Sequence, residues 1–252
     1  MAEPKIIKGG AFGTQIAIHC PAPEAHKCKY FPDGYLSFVI VGQPGSGKSM
    51  LLLSIIPNIE DLKAIVIVSR VGRNQVYDAI EGYCKDQEID FQIFNEPDTF
   101  NACLEDMTEE YEPTDHKLIV FDDFSPKGTQ LSAYTKAMEN VSMIMRNYGF
   151  YSIYITQSAT NVPTIVRNNA TVRITFNMSD TYAKNSYTHD FINDGYGDKE
   201  DMKYLMDALQ KHQHSFIMTF QPHCVYISIK NRLHPYSDEA KKRTPQVGTM
   251  GQ

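Results

Sequence analysis

Apolar and polar residues form a regular succession of short strand-like and longer helix-like segments from residue 36 onward. Largely apolar runs predict strands at 36–41, 64–69, 91–94, 118–121, 151–156 and 172–176, of which 36–41 and 64–69 are expected to be buried. Amphipathic stretches predict helices at about 48–56, 74–84, 99–111, 130–147, 180–191 and 199–211. Two β-rich runs, 215–220 and 225–230, flank a Gln-Pro-His turn and predict a C-terminal β-hairpin. This succession is typical of an α/β fold whose mostly parallel central sheet is flanked by helices.

A glycine-rich turn joins the first of these strands to the first helix. Gly42, Gly47, Lys48 and Ser49 match the phosphate-binding pattern G-x-x-x-x-G-K-[ST], and the flanking strand and helix are the context that the pattern requires. Backbone N–H groups of such a loop form a cradle for anions. We therefore predict a P-loop that binds a nucleoside triphosphate through Gly42, Gln43, Pro44, Gly45, Ser46, Gly47, Lys48 and Ser49. Lys48 supplies charge toward the β- and γ-phosphates, and Ser49 supplies a hydroxyl for Mg²⁺.

Two adjacent acids and an amide follow later strands. Asp122 ends a predicted strand and is the expected Mg²⁺ partner of Ser49. Asp123 is placed to orient or deprotonate an attacking water, a second acid that GTPases and small-molecule kinases generally lack. We expect the strand 151–156 to insert between the acidic strand and the P-loop strand. It would then bring Gln157 beside the γ-phosphate.

Composition narrows the class of protein. The chain has 252 residues, 42% hydrophobic and 21% charged, which is an ordinary globular balance. Its net charge of −6 argues against a generally basic nucleic-acid binder. Five scattered cysteines suit a reducing compartment better than a disulfide framework. Without an apolar run long enough to span a membrane or a signal-peptide core, the chain is expected to be soluble and intracellular.

The segment from Arg146 to Gln157 resembles the R-x-x-G-…-T-Q segment of the FtsK–HerA superfamily of DNA-translocating ATPases. The continuation 161–179 is similar to the genome-packaging ATPases of poxviruses, other large DNA viruses and virophages. The Asp122-Asp123 pair also resembles this viral branch, whereas the bacterial branch usually has Asp-Glu. The resemblance extends from about 36 to 179 and implies a P-loop NTPase of the RecA-like, ASCE type.

The resemblance also implies partners and a further catalytic residue. Members assemble as homo-oligomeric rings, use ATP with Mg²⁺, and move double-stranded DNA into a capsid through capsid or portal-type proteins. An arginine of one subunit reaches the γ-phosphate of its neighbour. Arg146 matches this position in both branches, Arg167 matches the viral pattern and Arg173 the bacterial one. A viral protein of this kind would act in the host-cell cytoplasm or the virion.

The domain organisation follows from where the regular pattern starts and stops. We predict an irregular arm at 1–33, the ATPase domain at 34–234 and a flexible tail at 235–252. The arm contains His19, Cys20, His26 and Cys28, whose spacing fits no standard zinc finger, so free thiols and surface histidines are the favoured interpretation. Arg70, Arg73 and Lys127 could contact DNA phosphates, although solvated loop charges are the favoured interpretation for each.

Two alternatives to a DNA motor remain open at this point. An ATP-binding assembly switch with little hydrolysis is possible because Asp123 is one methylene shorter than the Glu often used at its position. A P-loop kinase or GTPase has less support, since the chain has no Asn-Lys-x-Asp guanine motif and no obvious arginine-rich lid.

Overall fold

The structure is a computed structural model of the chain, and it describes residues 6–8, 15–17, 36–59, 61–69, 72–95, 97–123, 131–178, 181–212, 214–220, 224–229 and 232–235. Within these residues the strands are β1 Ile6–Lys8, β2 Gln15–Ala17, β3 Ser37–Val41, β4 Leu62–Ser69, β5 Asp90–Phe94, β6 His116–Asp122, β7 Phe150–Thr156, β8 Val172–Phe176, β9 Phe216–Phe220, β10 Cys224–Ile229 and β11 Arg232–Pro235.

The helices alternate with these strands, as the sequence predicts. They are α1 Lys48–Ile55, α2 Gln75–Asp86, α3 Pro97–Glu110, α4 Leu131–Met143, α5 Thr164–Asn169, α6 Thr181–Asn193 and α7 Lys199–Lys211. Short 3₁₀ turns occupy Ile56–Asn58, Met145–Tyr148 and Ala159–Asn161. β1 and β2 pair with each other in an antiparallel ladder.

Nine of these strands form one sheet in the order β11-β10-β9-β8-β3-β7-β6-β4-β5. The six from β8 to β5 are parallel, while β9, β10 and β11 add an antiparallel extension at one edge. This arrangement confirms the predicted fold class, including the C-terminal hairpin. β7 lies between β3 and β6, as expected for the strand that follows the acidic one.

The core lies on both faces of the sheet because successive strand residues point to opposite sides. On β3, Phe38 and Ile40 belong to the apolar cluster that packs under α1 and α2. Val39 and Val41 belong to the other cluster, which includes residues of α3, α4, α5, α6 and α7. Because both faces are covered, only the edges of the sheet and its loops remain for a binding site.

Three local details differ from the sequence prediction. α3 begins at Pro97, two residues before the predicted start, since a proline suits the first helical position. α4 ends at Met143 rather than Asn147, and a 3₁₀ turn carries the chain to Gly149. β11 was not predicted, because Arg-Leu-His-Pro has no strand pattern and is ordered by pairing with β10.

Candidate nucleotide site

The P-loop lies at the carboxyl end of β3 and opens α1. The N–H of Gly42 donates to the carbonyl of Thr156 at 3.1 Å, which ties the loop to the end of β7. The first helical bond runs from the N–H of Leu51 to the carbonyl of Gly47 at 2.9 Å. The N–H groups of residues 48–50 therefore precede the intrahelical ladder and are available to an anion.

Gly42 and Gly47 are two positions of this loop that require glycine. A Cβ at Gly42 would lie 2.7 Å from both the Phe176 Cβ and the Ser46 Oγ, which no real Cβ tolerates. Gly47 has a φ of 105°, a conformation that costs other residues energy. The tight loop that results is the geometry that lets phosphate oxygens approach the backbone.

Lys48 lies folded over the loop with its ammonium group buried. Its Nζ donates to the carbonyls of Gly42 and Gln43, each at 2.8 Å. Burial lowers the pKa of Lys48, and the negative charges of Asp122 and Asp123 oppose that shift. A desolvated cation among carbonyls is stabilised further when an anion enters the loop.

The predicted acids and amide come together on the neighbouring strands. Asp122 ends β6 and is 95% buried, while Gln157 directly follows β7. The Gln157 Nε2 donates to the Asp123 Oδ1 at 2.9 Å. Asp123 has a φ of 49°, a left-handed conformation that non-glycine residues rarely adopt. Backbone strain of this kind is concentrated at functional sites.

Tyr77 is a member of the site that the sequence did not reveal. Its hydroxyl donates to the Asp122 Oδ2 at 2.7 Å, and both side chains are buried. Burial raises the pKa of Asp122, and the hydrogen bond from Tyr77 counteracts this effect. The carbonyl oxygen of the Asn74 side chain caps α2 by accepting from the N–H groups of Val76 and Tyr77. The helix start thus places Tyr77 against a residue that is distant in sequence.

His214 is a second contact that no local pattern announced. It precedes β9, has a φ of 58°, and its Nδ1 lies 3.2 Å from the carbonyl oxygen of Ser46. Neither residue has a sequence signal for this contact, because 168 positions separate them.

The candidate arginines have different surroundings. Arg167 is paired with Asp190 at 2.8 Å, and Arg173 is paired with Asp194. Both arginine side chains are mostly buried, so neither extends from the molecule toward a neighbour: Arg167 links α5 to α6, and Arg173 links β8 to the residue that follows α6. Arg146 lies in the 3₁₀ turn before β7, where the structure describes its backbone. Arg73 is exposed and pairs with Glu81 at 2.8 Å.

The chemistry of the site fits a magnesium–nucleotide complex. The Ser46 Oγ is buried and has no protein partner in the described part of the chain, which leaves it for a ligand. Among the described residues no group of three or more His, Cys, Asp or Glu side chains could hold a metal by itself. Mg²⁺ is usually held by one or two protein oxygens together with phosphates and water.

Known proteins resemble the chain in sequence and in fold. Residues 28–226 match the family described as Poxvirus A32 protein. The chain belongs to that family. This membership confirms the resemblance to the genome-packaging ATPases of the FtsK–HerA superfamily. No curated protein sequence matches the chain.

Many solved structures share the fold, and three of them illustrate the likeness. The DNA-packaging ATPase B204 from Sulfolobus turreted icosahedral virus has 15% identity and a TM-score of 0.56, with 82% of this chain and 100% of that chain covered. The genome packaging NTPase B204 from Sulfolobus turreted icosahedral virus 2, in complex with ATP-γS, has 15% identity, a TM-score of 0.53, and coverage of 77% and 96%. The type VII secretion ATPase EccC from Thermomonospora curvata has 14% identity, a TM-score of 0.51, and coverage of 81% and 26%.

Several sequence predictions concern residues that the structure does not describe. The His19, Cys20, His26 and Cys28 group, Arg70, Lys127 and the tail beyond Pro235 all lie outside the described residues. In the part that is described, no helix is long and apolar enough to cross a membrane.

Proposed function

We propose that the chain is an ATP-hydrolysing motor that moves double-stranded DNA into a viral capsid. The observation that carries this proposal is the Asp123–Gln157 pair beside the P-loop, at the ends of two adjacent strands. A phosphate cradle alone is compatible with a kinase or a switch. An acid and an amide positioned together are the groups that water needs in order to attack a γ-phosphate.

The P-loop holds the triphosphate in this mechanism. The N–H groups at the start of α1 and the buried Ser46 hydroxyl contact the phosphate oxygens. Lys48, already desolvated, neutralises charge on the β- and γ-phosphates. Ser49 and Asp122 would hold Mg²⁺, which neutralises the charge that develops between these phosphates.

Asp123 and Gln157 position the nucleophile. The amide Nε2 of Gln157 is occupied by the Asp123 Oδ1, which leaves the amide oxygen to accept a hydrogen bond from water. The second carboxylate oxygen of Asp123 then takes the proton of that water as it attacks the γ-phosphorus in line. ATP and water give ADP and phosphate.

In this proposal, the arginine that reaches the γ-phosphate comes from another subunit. Arg146 precedes β7, whereas Gln157 and the P-loop lie beyond the other end of that strand. A strand of seven residues separates these two edges by about 23 Å. Arg146 is therefore too distant for its own site and is the candidate to complete the neighbour's site. Arg167 and Arg173, the alternatives, are engaged within their own chain.

The remaining assignments rest on the family. Within it, residues 34–234 form the motor domain, and the subunits assemble as a ring around DNA. Capsid or portal-type proteins are the partners, and the host-cell cytoplasm or the virion is the place of action. Membership in a family of poxvirus proteins supports these assignments.

Hydrolysis of ATP, measured with and without double-stranded DNA, tests the motor. We expect DNA to stimulate hydrolysis by the wild type, and ATP to increase the oligomer mass. Lys48→Ala and Asp123→Asn should each lower the rate by about 100-fold or more, because each removes a group that acts in the transition state. Asp106→Asn, which changes an exposed carboxylate on α3, is the matched control.

The two variants also separate the alternatives. An assembly switch would lose function with Lys48→Ala and tolerate Asp123→Asn. A GTPase would turn over GTP at least as fast as ATP. A kinase would turn over ATP faster when a nucleoside acceptor is added. A fully active monomer that is indifferent to DNA would contradict the motor.

A further inference from the structure

His214, which lies between α7 and β9, touches the P-loop from the side opposite the acids. His214 contacts the Ser46 carbonyl, and a Cβ at Gly47 would lie 3.5 Å from the His214 Nδ1 and 3.7 Å from the Phe176 ring. His214 is held in a left-handed conformation at this contact, yet its side chain is exposed. A strained residue that reaches from a distant element to a binding loop indicates a role in the site.

The order of strands indicates on which side of the P-loop a nucleoside would lie. Asp122, Asp123 and Gln157 follow β6 and β7, on one side of β3. β8 and β9 lie on the other side, and the pairing of Phe176 with Phe216 places the start of β9 at the carboxyl end of β8. A nucleotide whose γ-phosphate faces Asp123 and Gln157 must extend its nucleoside away from them. The nucleoside therefore lies over β8 and β9, where His214 stands.

The contact with Ser46 determines whether the other ring nitrogen of His214 can donate or accept a hydrogen bond. A carbonyl oxygen only accepts hydrogen bonds, so the Nδ1 of His214 must donate to it. In the neutral ring the other nitrogen, Nε2, is then an acceptor. Adenine has a 6-amino group that donates to an acceptor, whereas hypoxanthine and guanine have a keto oxygen at that position, which does not.

We propose that His214 selects the adenine base of the bound nucleotide by accepting a hydrogen bond from the 6-amino group on its Nε2. This assignment rests on the proposed function, since it needs a nucleotide in the P-loop. It makes His214 a specificity residue of the motor, whereas the P-loop itself is indifferent to the base.

Asparagine is the informative substitution. Its side-chain amide nitrogen occupies the position of the histidine Nδ1, and asparagine also tolerates a left-handed backbone. His214→Asn thus keeps the contact with Ser46 and removes only the Nε2 acceptor. His212→Asn, in the same loop, is the matched control, because its backbone carbonyl keeps the hydrogen bond from the Ser215 N–H.

Equilibrium binding of ATP, inosine triphosphate and tripolyphosphate, measured in EDTA to prevent hydrolysis, tests the proposal. We expect the wild type to prefer ATP to inosine triphosphate. His214→Asn should lower the affinity for ATP by about 3- to 10-fold, which is the value of one hydrogen bond. Its affinities for inosine triphosphate and tripolyphosphate should stay within about twofold of the wild type, and His212→Asn should behave as the wild type.

Other outcomes overturn the assignment. A wild type without preference for ATP, or a His214→Asn variant that retains the preference, shows that His214 does not contact the base. An equal loss for ATP and tripolyphosphate shows that the histidine acts only through the shape of the loop. Lys48→Ala tests the proposed function separately, because it should abolish binding of all three ligands. If it does not, the P-loop assignment fails rather than the histidine.

Discussion

Buried charge at the residue scale explains why the P-loop region is prepared for an anion. Lys48 and Asp122 are both almost completely buried. Burial lowers the pKa of Lys48 and raises that of Asp122, so it favours the neutral form of each. Each reduces the shift of the other through opposite charge. A bound phosphate would balance the charge of Lys48, and a bound divalent cation would balance that of Asp122. Ligand binding would therefore stabilise the charged form of both side chains.

Tyr77→Phe tests whether the carboxylate is positioned by its neighbour. The variant leaves the Asp122 Oδ2 without the donor that lies 2.7 Å away. We expect the Mg²⁺ concentration for half-maximal hydrolysis to rise about 10-fold, as is typical when a residue that orients a metal ligand is removed. Tyr83→Phe, on the same helix, is the control. An unchanged Mg²⁺ requirement with a lower melting temperature would assign Tyr77 to packing alone.

Lys117 is a buried charge away from the site. Its Nζ donates to the Glu112 carbonyl at 2.8 Å and lies over the rings of Tyr111 and Phe150. Burial lowers the pKa of Lys117, opposed by the charges of Asp115 and Glu112. The unfolded chain therefore holds this proton to a higher pH than the folded chain does.

A pH series of unfolding experiments measures this effect. Between the lowered folded pKa and the unfolded value of about 10.4, the contribution of Lys117 to the free energy of unfolding should rise with pH, because the unfolded state holds its proton more tightly there. Lys117→Met lacks this contribution, so its stability relative to the wild type should fall as the pH rises toward about 10. Lys63→Met, at an exposed position, is the control. A relative stability that is constant over this range would contradict the prediction.

At the scale of the element, the site depends on β7 and on Gly149, which directly precedes this strand. β7 lies between β3, which leads into the P-loop, and β6, which ends at Asp122. The N–H of Gly42 donates a hydrogen bond to Thr156, the last residue of β7. The position of β7 along its neighbours is set at its start by Gly149, which has a φ of 83°. A Cβ at this glycine would lie 2.2 Å from the Asp115 carbonyl oxygen and 2.7 Å from that of Pro113. Both contacts are with backbone, so no side chain can move aside.

Gly149→Ala should consequently be severely destabilising. We expect a loss of about 3 kcal/mol in the free energy of unfolding, from the left-handed conformation and the overlap together. Gly82→Ala is the opposite case, since Gly82 lies in α2 and nothing stands within 4 Å of the position that an alanine Cβ would take. It should stabilise the protein by about 0.5–1 kcal/mol. Chemical denaturation of both variants checks the pair, and equal effects would show that the close contacts are relieved elsewhere.

At the scale of the whole molecule, the sheet separates the P-loop from Arg146. The P-loop, Asp122, Asp123 and Gln157 share the carboxyl edge, and Arg146 precedes β7 at the amino edge. In the proposed motor, a chain built in this way completes its catalytic site only by contact between copies. Four large apolar side chains are exposed in the described residues: Met143 at the end of α4, Ile144 directly after it, Tyr148 in the turn that contains Arg146, and Ile165 in α5.

Mixing two inactive variants tests this arrangement. Lys48→Ala lacks a working P-loop but carries Arg146, and Arg146→Ala carries the complementary defect. In randomly mixed rings, about one quarter of the interfaces pair an intact P-loop with an intact arginine. We expect hydrolysis to recover to about that fraction of the wild-type rate, while each variant alone stays inactive. No recovery in mixed oligomers of confirmed composition would contradict catalysis between subunits.

Local pattern predicted most of the elements and the centre of the site. Largely apolar runs located the six parallel strands, because the strands inside the sheet are covered on both faces and are apolar along most of their length. The P-loop was readable because its glycines, lysine and serine act within eight consecutive positions. Asp122, Asp123 and Gln157 were found for a related reason, since residues that end parallel strands meet at one edge.

The tertiary structure decided what no local pattern carries. Tyr77 meets Asp122, His214 meets Ser46, and Arg167 and Arg173 are paired with Asp190 and Asp194 only because packing brings separate elements together. β11 likewise forms through its neighbour rather than through its own residues. The sequence by itself therefore determined a P-loop fold with a phosphate site, since neighbouring residues suffice for both. The contacts of Tyr77, His214, Arg167 and Arg173 depend on packing between separate elements, which only the folded chain defines.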